Sequence, residues 1–390
     1  MVIQGISVVI LSVITVIILI DIIPIWKDWL SRIKIGKCTD RDVWSESITS
    51  IGIKWINKTP KIKMTDNTRL VVIDMLKGNY VKSAIQHWQE AALALGLSEC
   101  SKKERVKNEV VKFLNSKFDD NGQWITKPQH VDGAILAYAI MKIDSIDIDK
   151  YKDALDYTWE MIKKHVGEDG TIGYRNSMQS YRYVDTIGFV CPFLVAYGIR
   201  YNKDECVDLA VKQITEYERY GMLDTYHIPS HAYKLVGKIP VGLYGWGRGV
   251  GWFAIGLIDA WNELPQDNKY KVILTECIAK YAKAFMGFQQ DNGSWNWTIT
   301  RNECRADSSA TATLGWFVLN AAQINDISNE CLDSADKAIN YLMKVTRRNG
   351  AVDFSQGDTK DIGVYSMLFN ILPFTQGFCI RMINLRKNLK

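Results

Sequence analysis

The chain has few of the features from which metal or thiol chemistry is built. It contains eight cysteines but no C-x-x-C pair, and its five histidines show no metal-ligand spacing. The cysteines are scattered, several of them inside apolar helical runs where a reduced thiol acts as a small hydrophobic side chain. We therefore expect free thiols, no zinc site, and neither a metal nor another cofactor.

The chain also lacks a continuous basic patch and a strand pattern. Its formal net charge is +5 over 390 residues, with basic and acidic residues interspersed, which argues against nucleic-acid binding. Alternation of apolar and polar residues, typical of strands, is nearly absent. The 47% hydrophobic content is that of a globular protein with an ample core, and thirteen tryptophans and eighteen tyrosines offer flat faces for sugars.

One long apolar run is present, at the amino terminus. Residues 2–20 contain only four polar side chains, and the run is long enough to span a bilayer as a helix. It lacks the basic start and the cleavage site of a secretory signal, so we expect a retained membrane anchor over residues 1–24. Basic residues follow it, at Lys27, Arg32, Lys34 and Lys37. The positive-inside rule then places the main domain in the cytoplasm; the alternative is a buried N-terminal helix.

The rest of the chain is predicted to be all-α. After a junction over residues 25–43, a single domain is expected over residues 44–390. Its apolar spacing predicts twelve helices, at 43–57, 80–96, 102–117, 131–143, 149–165, 184–200, 203–219, 247–263, 268–290, 307–324, 331–347 and 361–387. An Asp/Asn-Gly turn recurs at Gly122, Gly170, Gly293 and Gly350. Such turns supply left-handed backbone after a helix, and their repetition indicates six helical hairpins arranged as an α/α toroid.

The segment Tyr244–Trp252 predicts a carbohydrate site. It holds two tryptophans, one arginine and four glycines in nine residues, at the start of an apolar helix pattern. Arg248 and Trp252 are four residues apart and share one helix face. A guanidinium pairs with a carboxylate and an indole stacks on a sugar ring, which suits an acidic sugar. The alternative is a glycine-rich helix start with Trp246 and Trp252 in the core.

Two aspartates stand just ahead of apolar helix patterns, Asp132 and Asp185. Each alone is typical of a helix N-cap. Two carboxylates held close together, however, can separate their pKa values so that one keeps a proton near neutral pH, as acid/base catalysis requires. His231 lies in the loop leading to Trp246 and is either a ligand contact or a surface histidine.

Three motifs, in this order, resemble a known family: the segment 184–194 around Asp185, W-G-R-G-x-G-W at 246–252, and D-S-S-A-T-A at 307–312. They resemble the unsaturated glucuronyl and rhamnogalacturonyl hydrolases of glycoside hydrolase families 88 and 105, from about Trp88 to the C-terminus. The resemblance implies an (α/α)6 barrel that releases a 4,5-unsaturated uronic acid from the non-reducing end of an acidic oligosaccharide. The reaction would be hydration of the vinyl ether, without a cofactor.

The resemblance also implies roles by position. Asp185 is the expected acid/base, Asp132 its partner, His231 a ligand contact, Arg248 the group facing the substrate's polar substituents, Trp246 and Trp252 the stacking walls, and Trp88 an aromatic near the first inner helix. The chain departs from the family pattern at Val250, where asparagine is frequent, at Arg175, near a frequent histidine, and at Trp88, where tyrosine is more usual. Because these residues would form the walls of the site, the resemblance does not determine the identity of the substrate.

Two other functions stay open on the sequence. One is a hydrolase or lyase acting on another acidic glycan with the same barrel, which activity on saturated uronides would favour. The other is a noncatalytic carbohydrate-binding or assembly protein of surface-polysaccharide production, tethered to the membrane. Binding without turnover, unaffected by Asp185→Asn, would favour that alternative.

Overall fold

A computed structural model describes residues 2–62, 65–78, 87–100 and 103–389. Its helices are α1 (Val2–Arg32), α2 (Arg41–Ile56), α3 (Val71–Leu76), α4 (His87–Ser98), α5 (Glu104–Lys117), α6 (Asp132–Met141), α7 (Lys152–Lys163), α8 (Val184–Arg200), α9 (Asp204–Gly221), α10 (Gly247–Glu263), α11 (Lys271–Met286), α12 (Ser308–Ala321), α13 (Ser328–Lys344) and α14 (Pro373–Asn388).

Short antiparallel strands connect the helices at one end of the molecule. They are β1 (Tyr181–Tyr183), β2 (Met222–Leu223), β3 (Ile228–Pro229), β4 (Ala232–Lys234), β5 (Ile239–Val241), β6 (Ser355–Gln356) and β7 (Phe369–Asn370). The largest sheet among the described residues has three strands in the order β1-β4-β5, and β2-β3 and β6-β7 form pairs.

The long helices form a double ring. Helices α4, α6, α8, α10, α12 and α14 each pack on the next, and α14 closes the ring against α4. Helices α2, α5, α7, α9, α11 and α13 pack outside them. This is the predicted (α/α)6 barrel, and the prediction of an all-α fold is confirmed.

The two rings differ in how much of each helix is apolar. All residues of α12 are buried, as are nine of the ten residues of α6, so these helices need apolar or small side chains on every face. The outer helices α9 and α13 bury one face and expose charged residues on the other. The sequence therefore specifies inner and outer positions through the width of the apolar face.

Glycines allow the closest approach between inner helices. A Cβ atom built at Gly377 in α14 would lie 2.0 Å from the carbonyl oxygen of Ala92 in α4, and one at Gly96 would lie 2.5 Å from the carbonyl oxygen of Gly377. No larger side chain fits there without moving backbone. The closure of the ring thus depends on two facing glycines.

The repeated Asp/Asn-Gly turns have the predicted conformation. Gly122, Gly170, Gly293 and Gly350 have φ angles of 77°, 71°, 90° and 92°, in the left-handed region. They follow the outer helices α5, α7, α11 and α13 and precede the starts of inner helices. The turns therefore lie at the end of the barrel where the inner helices begin.

The predicted helices match those of the barrel except at two places. The predicted helix 361–387 is wrong in its first part, because α14 begins at Pro373 and residues 361–372 form a loop containing β7. Proline suits the first turn of a helix but not its interior, so it marks the start of α14. The helix predicted at 80–96 is observed as α4 from His87, and its predicted first residues lie outside the described ones.

Helix α1 is long and apolar enough to cross a membrane, by length and composition. None of its described residues is buried, unlike those of a core helix. It continues without a break past residue 24, the predicted end of the anchor, and its last turns contact the barrel. Arg32 Nε donates to Asp353 Oδ2 at 2.7 Å, and Asn370 Nδ2 donates to Asp28 Oδ2 at 2.7 Å. The division at residues 24 and 43 stays a prediction.

We expect Gly377→Ala to lower the unfolding temperature, because the added methyl group collides with backbone; overpacking of this kind costs about 1–3 kcal/mol or more. Gly287→Ala is the matched control, since a Cβ there would meet its nearest heavy atom at 3.3 Å and Gly287 has an ordinary helical φ of −62°. Thermal unfolding followed by circular dichroism compares the two variants. Equal unfolding temperatures would contradict the role assigned to the α4–α14 contact.

Candidate active site

A pocket of about 260 Å³ opens at the end of the barrel where the inner helices begin. Its lining includes Trp88, Tyr174, Arg175, Met178, Tyr183, Asp185, Phe189, His231, Trp246, Arg248, Trp252 and residues Asp358 to Asp361. The structure thus brings together six of the seven residues singled out from the sequence. Asp132, the seventh, lies outside this lining.

Helix starts position two of these side chains. Asp185 and Arg248 are each the second residue of an inner helix, in α8 and α10, and Trp88 is the second described residue of α4. Because the inner helices all begin at this end of the barrel, equivalent positions in their first turns surround the same opening. Trp252 lies one turn after Arg248 on the same face of α10 and also lines the pocket.

Neither aspartate caps its helix. The N-cap residues of α6 and α8 are Val131 and Tyr183, with no side-chain cap bond, so Asp132 and Asp185 lie in the first helical turn. Asp307, by contrast, is the N-cap of α12 and accepts from the backbone N–H groups of Ser309 and Ala310. The capping alternative therefore does not account for either aspartate.

Asp185 has an unusual environment for a carboxyl group. Its Oδ2 atom is buried and has no hydrogen-bond partner among the described residues, while 15% of the side chain remains exposed at the pocket. Burial raises the pKa of Asp185 from 3.8 to about 7; Arg248 opposes this shift and Asp358 adds to it. At neutral pH a large fraction of Asp185 therefore carries a proton that it can donate.

His231 lies beside Asp185 as a neutral side chain. It immediately precedes strand β4, and the backbone N–H of Val184, the first residue of α8, donates to its carbonyl oxygen at 3.0 Å. Its Nε2 is 3.7 Å from Asp185 Oδ2, too far for a hydrogen bond, and its Nδ1 is 3.2 Å from the hydroxyl of Tyr365. Burial, and then Arg248, lower the pKa of His231 to about 4. It is buried in the pocket wall and is not a surface histidine.

Arg248 holds the loop that forms one wall of the pocket. Its Nη1 donates to the carbonyl oxygen of Gln356 at 2.6 Å, and its Nη2 donates to that of Gly357 at 2.7 Å. Trp246 Nε1 donates to the Gln356 side chain at 2.9 Å. The same loop brings Asp358 within 3.9 Å of Arg248, where burial raises the pKa of Asp358 and the guanidinium opposes that shift.

The three tryptophans line the pocket and pack in the core at once. Trp88 and Trp252 meet edge to face with their ring centroids 5.8 Å apart, and Trp252 packs on Phe374 at 4.7 Å. Trp246 lies 4.7 Å from the ring of His231. The tryptophan rings therefore belong both to the hydrophobic core and to the lining of the pocket.

Arg175 links Asp132 to the pocket. The Asp132 side chain is buried, and Arg175 Nη1 donates to its Oδ1 at a long 3.4 Å. The guanidinium lies over the ring of Tyr174, with Cζ 4.2 Å from the ring centroid, and 20% of the Arg175 side chain is exposed. Arg175 was recognisable in the sequence only as a departure from a family pattern. Here it supplies a cation that faces the opening.

Sequence reasoning missed the loop from Asp358 to Asp361 and Tyr365. This stretch fell at the edge of a predicted helix, although its D-T-K-D run is a polar cluster of the kind found in loops.

Among the described residues, no group of three or more histidine, cysteine, aspartate or glutamate side chains is arranged to hold a metal ion. The pocket offers a protonated carboxyl, a neutral imidazole, cations and aromatic faces, which together suit acid/base chemistry on an anionic sugar.

A family model matches most of the chain. The description of that family is Glycosyl Hydrolase Family 88, and it covers residues 55–368. No curated protein sequence is significantly similar to the chain.

Solved structures share the fold at low sequence identity. A possible member of glycoside hydrolase family 105 from Klebsiella pneumoniae is 15% identical, with 90% of this chain and 94% of that chain covered and a TM-score of 0.75. A family 105 glycoside hydrolase from C. acetobutylicum is 14% identical, with 82% and 98% covered and a TM-score of 0.69. An unsaturated glucuronyl hydrolase from Bacillus sp. GL1 is 13% identical, with 88% and 95% covered and a TM-score of 0.65.

Proposed function

This chain belongs to glycosyl hydrolase family 88 and is a glycosidase, and we propose that it removes a 4,5-unsaturated uronic acid from the non-reducing end of an acidic oligosaccharide. The observation that carries the proposal is Asp185, a carboxyl group kept protonated near neutral pH by burial at the wall of a pocket lined by aromatic rings. A vinyl ether is cleaved through protonation, so a proton donor at this place is what the reaction needs.

The proposed chemistry starts at the double bond between C4 and C5 of the uronic acid. Asp185 donates its proton to C4, and the positive charge that develops is shared between C5 and the ring oxygen. A water molecule then adds to C5 and returns a proton to the Asp185 carboxylate. The resulting hemiketal opens to a ketone at C5, which leaves a hemiacetal at C1, and collapse of that hemiacetal releases the remaining sugar. One water is consumed and Asp185 ends in its starting state.

The size and lining of the pocket support action at a chain end. Its volume of about 260 Å³ is below the common range for ligand pockets, roughly 300–1,000 Å³. A single sugar ring fits such a space better than an internal stretch of a polymer. Trp88 and Trp246 would contact the faces of the ring.

Arg175 is the group we assign to the carboxylate of the substrate. Two donors of Arg248 make short bonds to backbone carbonyls at 2.6 and 2.7 Å, whereas the bonds of Arg175 to protein acceptors are 3.2 Å or longer. A guanidinium with weak protein contacts is free to pair with an incoming carboxylate. Asp132 then acts by holding Arg175, and neutral His231 contacts the substrate or the attacking water.

The membrane anchor is also a proposal. Helix α1 has the length and the apolar composition of a single span, and the basic residues after it favour a cytoplasmic catalytic domain. On that side of the membrane, the substrate is an imported oligosaccharide or a lipid-linked saccharide. A fused reporter that works on only one side of the membrane tests the orientation.

The reaction is tested by the loss of ultraviolet absorbance from the conjugated double bond, across a panel of unsaturated uronyl disaccharides. We expect turnover by the full-length wild type and none by Asp185→Asn, because the amide keeps the shape but cannot donate and recover the proton; binding of the disaccharide should survive. Asp153→Asn, at an exposed position on α7, is the matched control and should retain full activity. Full activity of Asp185→Asn would refute the mechanism, and activity on saturated uronides alone would point to another reaction.

Loss of the Arg175 charge should weaken substrate binding more than it slows turnover. Arg175→Gln is expected to raise KM by about tenfold to a hundredfold, the equivalent of one hydrogen bond to a charged group at roughly 1.5–3 kcal/mol. Arg175→Lys keeps the charge and should recover part of the loss. Steady-state kinetics of the three proteins decides the matter: an unchanged KM in Arg175→Gln would remove Arg175 from the carboxylate site.

A further inference from the structure

A patch of apolar side chains is exposed next to helix α1. It consists of Leu70, Ile73, Met75 and Leu76, in and just before the short helix α3, and is called here the α3 patch. These side chains are between 45% and 85% exposed. Exposed apolar residues that occur singly need no explanation, but four within seven residues mark a surface that contacts something apolar.

The position of the α3 patch relative to α1 is fixed by Asp21. Its carboxylate accepts from the backbone N–H of Leu70 at 2.6 Å and from that of Val71 at 2.9 Å. Leu70 has a φ of 51°, a left-handed conformation that bulky residues rarely adopt, and the two bonds to Asp21 hold it there. Asp21 is the first charged residue after the apolar run of residues 2–20. The α3 patch therefore lies at the level where the apolar part of α1 ends.

We propose that the α3 patch is a second membrane contact, which inserts into the surface of the lipid bilayer that α1 crosses. The proposal rests on the membrane anchoring proposed above for α1. A short apolar segment at the end of a span lies at the boundary between headgroups and acyl chains, where such segments bury their apolar faces. Arg69 and Lys77, both exposed, flank the patch and suit anionic headgroups.

Two aromatic residues of α1 also indicate that the membrane surface lies at the level of the α3 patch. Trp26 and Trp29 are 66% and 61% exposed, and they follow Asp21 by less than three helical turns. Tryptophan is enriched at membrane–water interfaces, because its ring is apolar and its N–H is polar. The protein surface proposed to contact lipid thus extends without interruption from α1 to the α3 patch.

A second membrane contact orients the catalytic domain. Asp66, four residues before Leu70, accepts from Ser366 Oγ at 2.6 Å and pairs with Lys360 at 3.4 Å. Lys360 lines the pocket. A single span can tilt and turn in the bilayer together with the domain that it contacts, whereas a second contact beside it holds the pocket opening next to the bilayer. The protein is then suited to acidic glycans carried at the membrane surface.

Photo-crosslinking in the full-length protein tests the contact. A photoreactive phenylalanine analogue replaces one residue at a time in protein reconstituted into vesicles of phosphatidylcholine and phosphatidylglycerol. The positions are Val8 in the span, Leu76 in the α3 patch and Val272 on α11, which are 64%, 85% and 69% exposed, so the replacements leave the core intact. Lipid adducts are measured by mass spectrometry, and crosslinked dimers are measured on gels.

The proposal predicts lipid adducts at positions 8 and 76 and none at position 272. Adducts at position 8 without adducts at position 76 would overturn the second contact and leave the anchor intact. No adducts at position 8 would instead remove the anchor, and with it the premise of the second contact. A crosslinked dimer in place of a lipid adduct at position 76 would assign the patch to another copy of the chain and overturn the proposal.

The role of Asp21 gives an independent test. Asp21→Ala removes the acceptor for the N–H groups of Leu70 and Val71, and should lower the lipid adduct at position 76 several-fold while leaving the adduct at position 8 unchanged. An unchanged yield at position 76 would show that Asp21 does not set the level of the patch, and would overturn that part of the proposal.

Discussion

The Oδ2 atom of Asp185 is removed from water and has no hydrogen-bond partner among the described residues. A buried carboxylate in this state is costly, and the group instead keeps its proton, with its pKa raised to about 7. The protein could lower this cost with a closer cation or a hydrogen-bond donor. It places His231 at 3.7 Å in a neutral state and directs two donors of Arg248 to backbone carbonyls. The surrounding structure thus preserves an acid that is ready to donate.

The pocket depends on a loop that lies outside the helices of the barrel and is held by bonds to their N-terminal ends. Residues 355–361 lie between the outer helix α13 and the inner helix α14, and α10 holds them through Arg248 and Trp246. Asp307 adds a fourth bond, because its Oδ1 accepts from the backbone N–H of Gln356 at 3.0 Å. Two of the motifs recognised in the sequence therefore act partly through this loop, which brings Asp358 and Lys360 to the opening.

The sequence predicted the barrel well because inner helices such as α6 and α12 are apolar or small on nearly every face, and each Asp/Asn-Gly turn has one suitable conformation. It also predicted six residues of the pocket lining, since they stand at or near the starts of inner helices or in the loop beside them. It failed where long-range contacts decide the structure. The loop 361–372 has apolar spacing like a helix, but it pairs with β6 and bonds to Asp66. Helix α3 is too short for a periodic signal and depends on Asp21, forty-nine residues earlier in the chain.

The different surroundings of Asp132 and Asp185 were also not predicted from the sequence. Both aspartates occur at the starts of neighbouring inner helices, α6 and α8, which the sequence indicated. Only the structure shows that Arg175, from the loop between α7 and α8, bonds to Asp132, so that the two carboxyl groups have different surroundings. One is bonded to a cation and the other is left with its proton, and this asymmetry suits an acid/base catalyst.

The protonation state of Asp185 is the central claim, and nuclear magnetic resonance can measure it directly. Protein labelled with 13C at the aspartate carboxyl groups is titrated, and the signal absent from Asp185→Asn identifies the residue. The account predicts a carboxyl group that titrates near pH 7. A signal that titrates near the ordinary aspartate value of about 3.9 would contradict it, because the group would then be fully ionised at neutral pH and could not act as the acid.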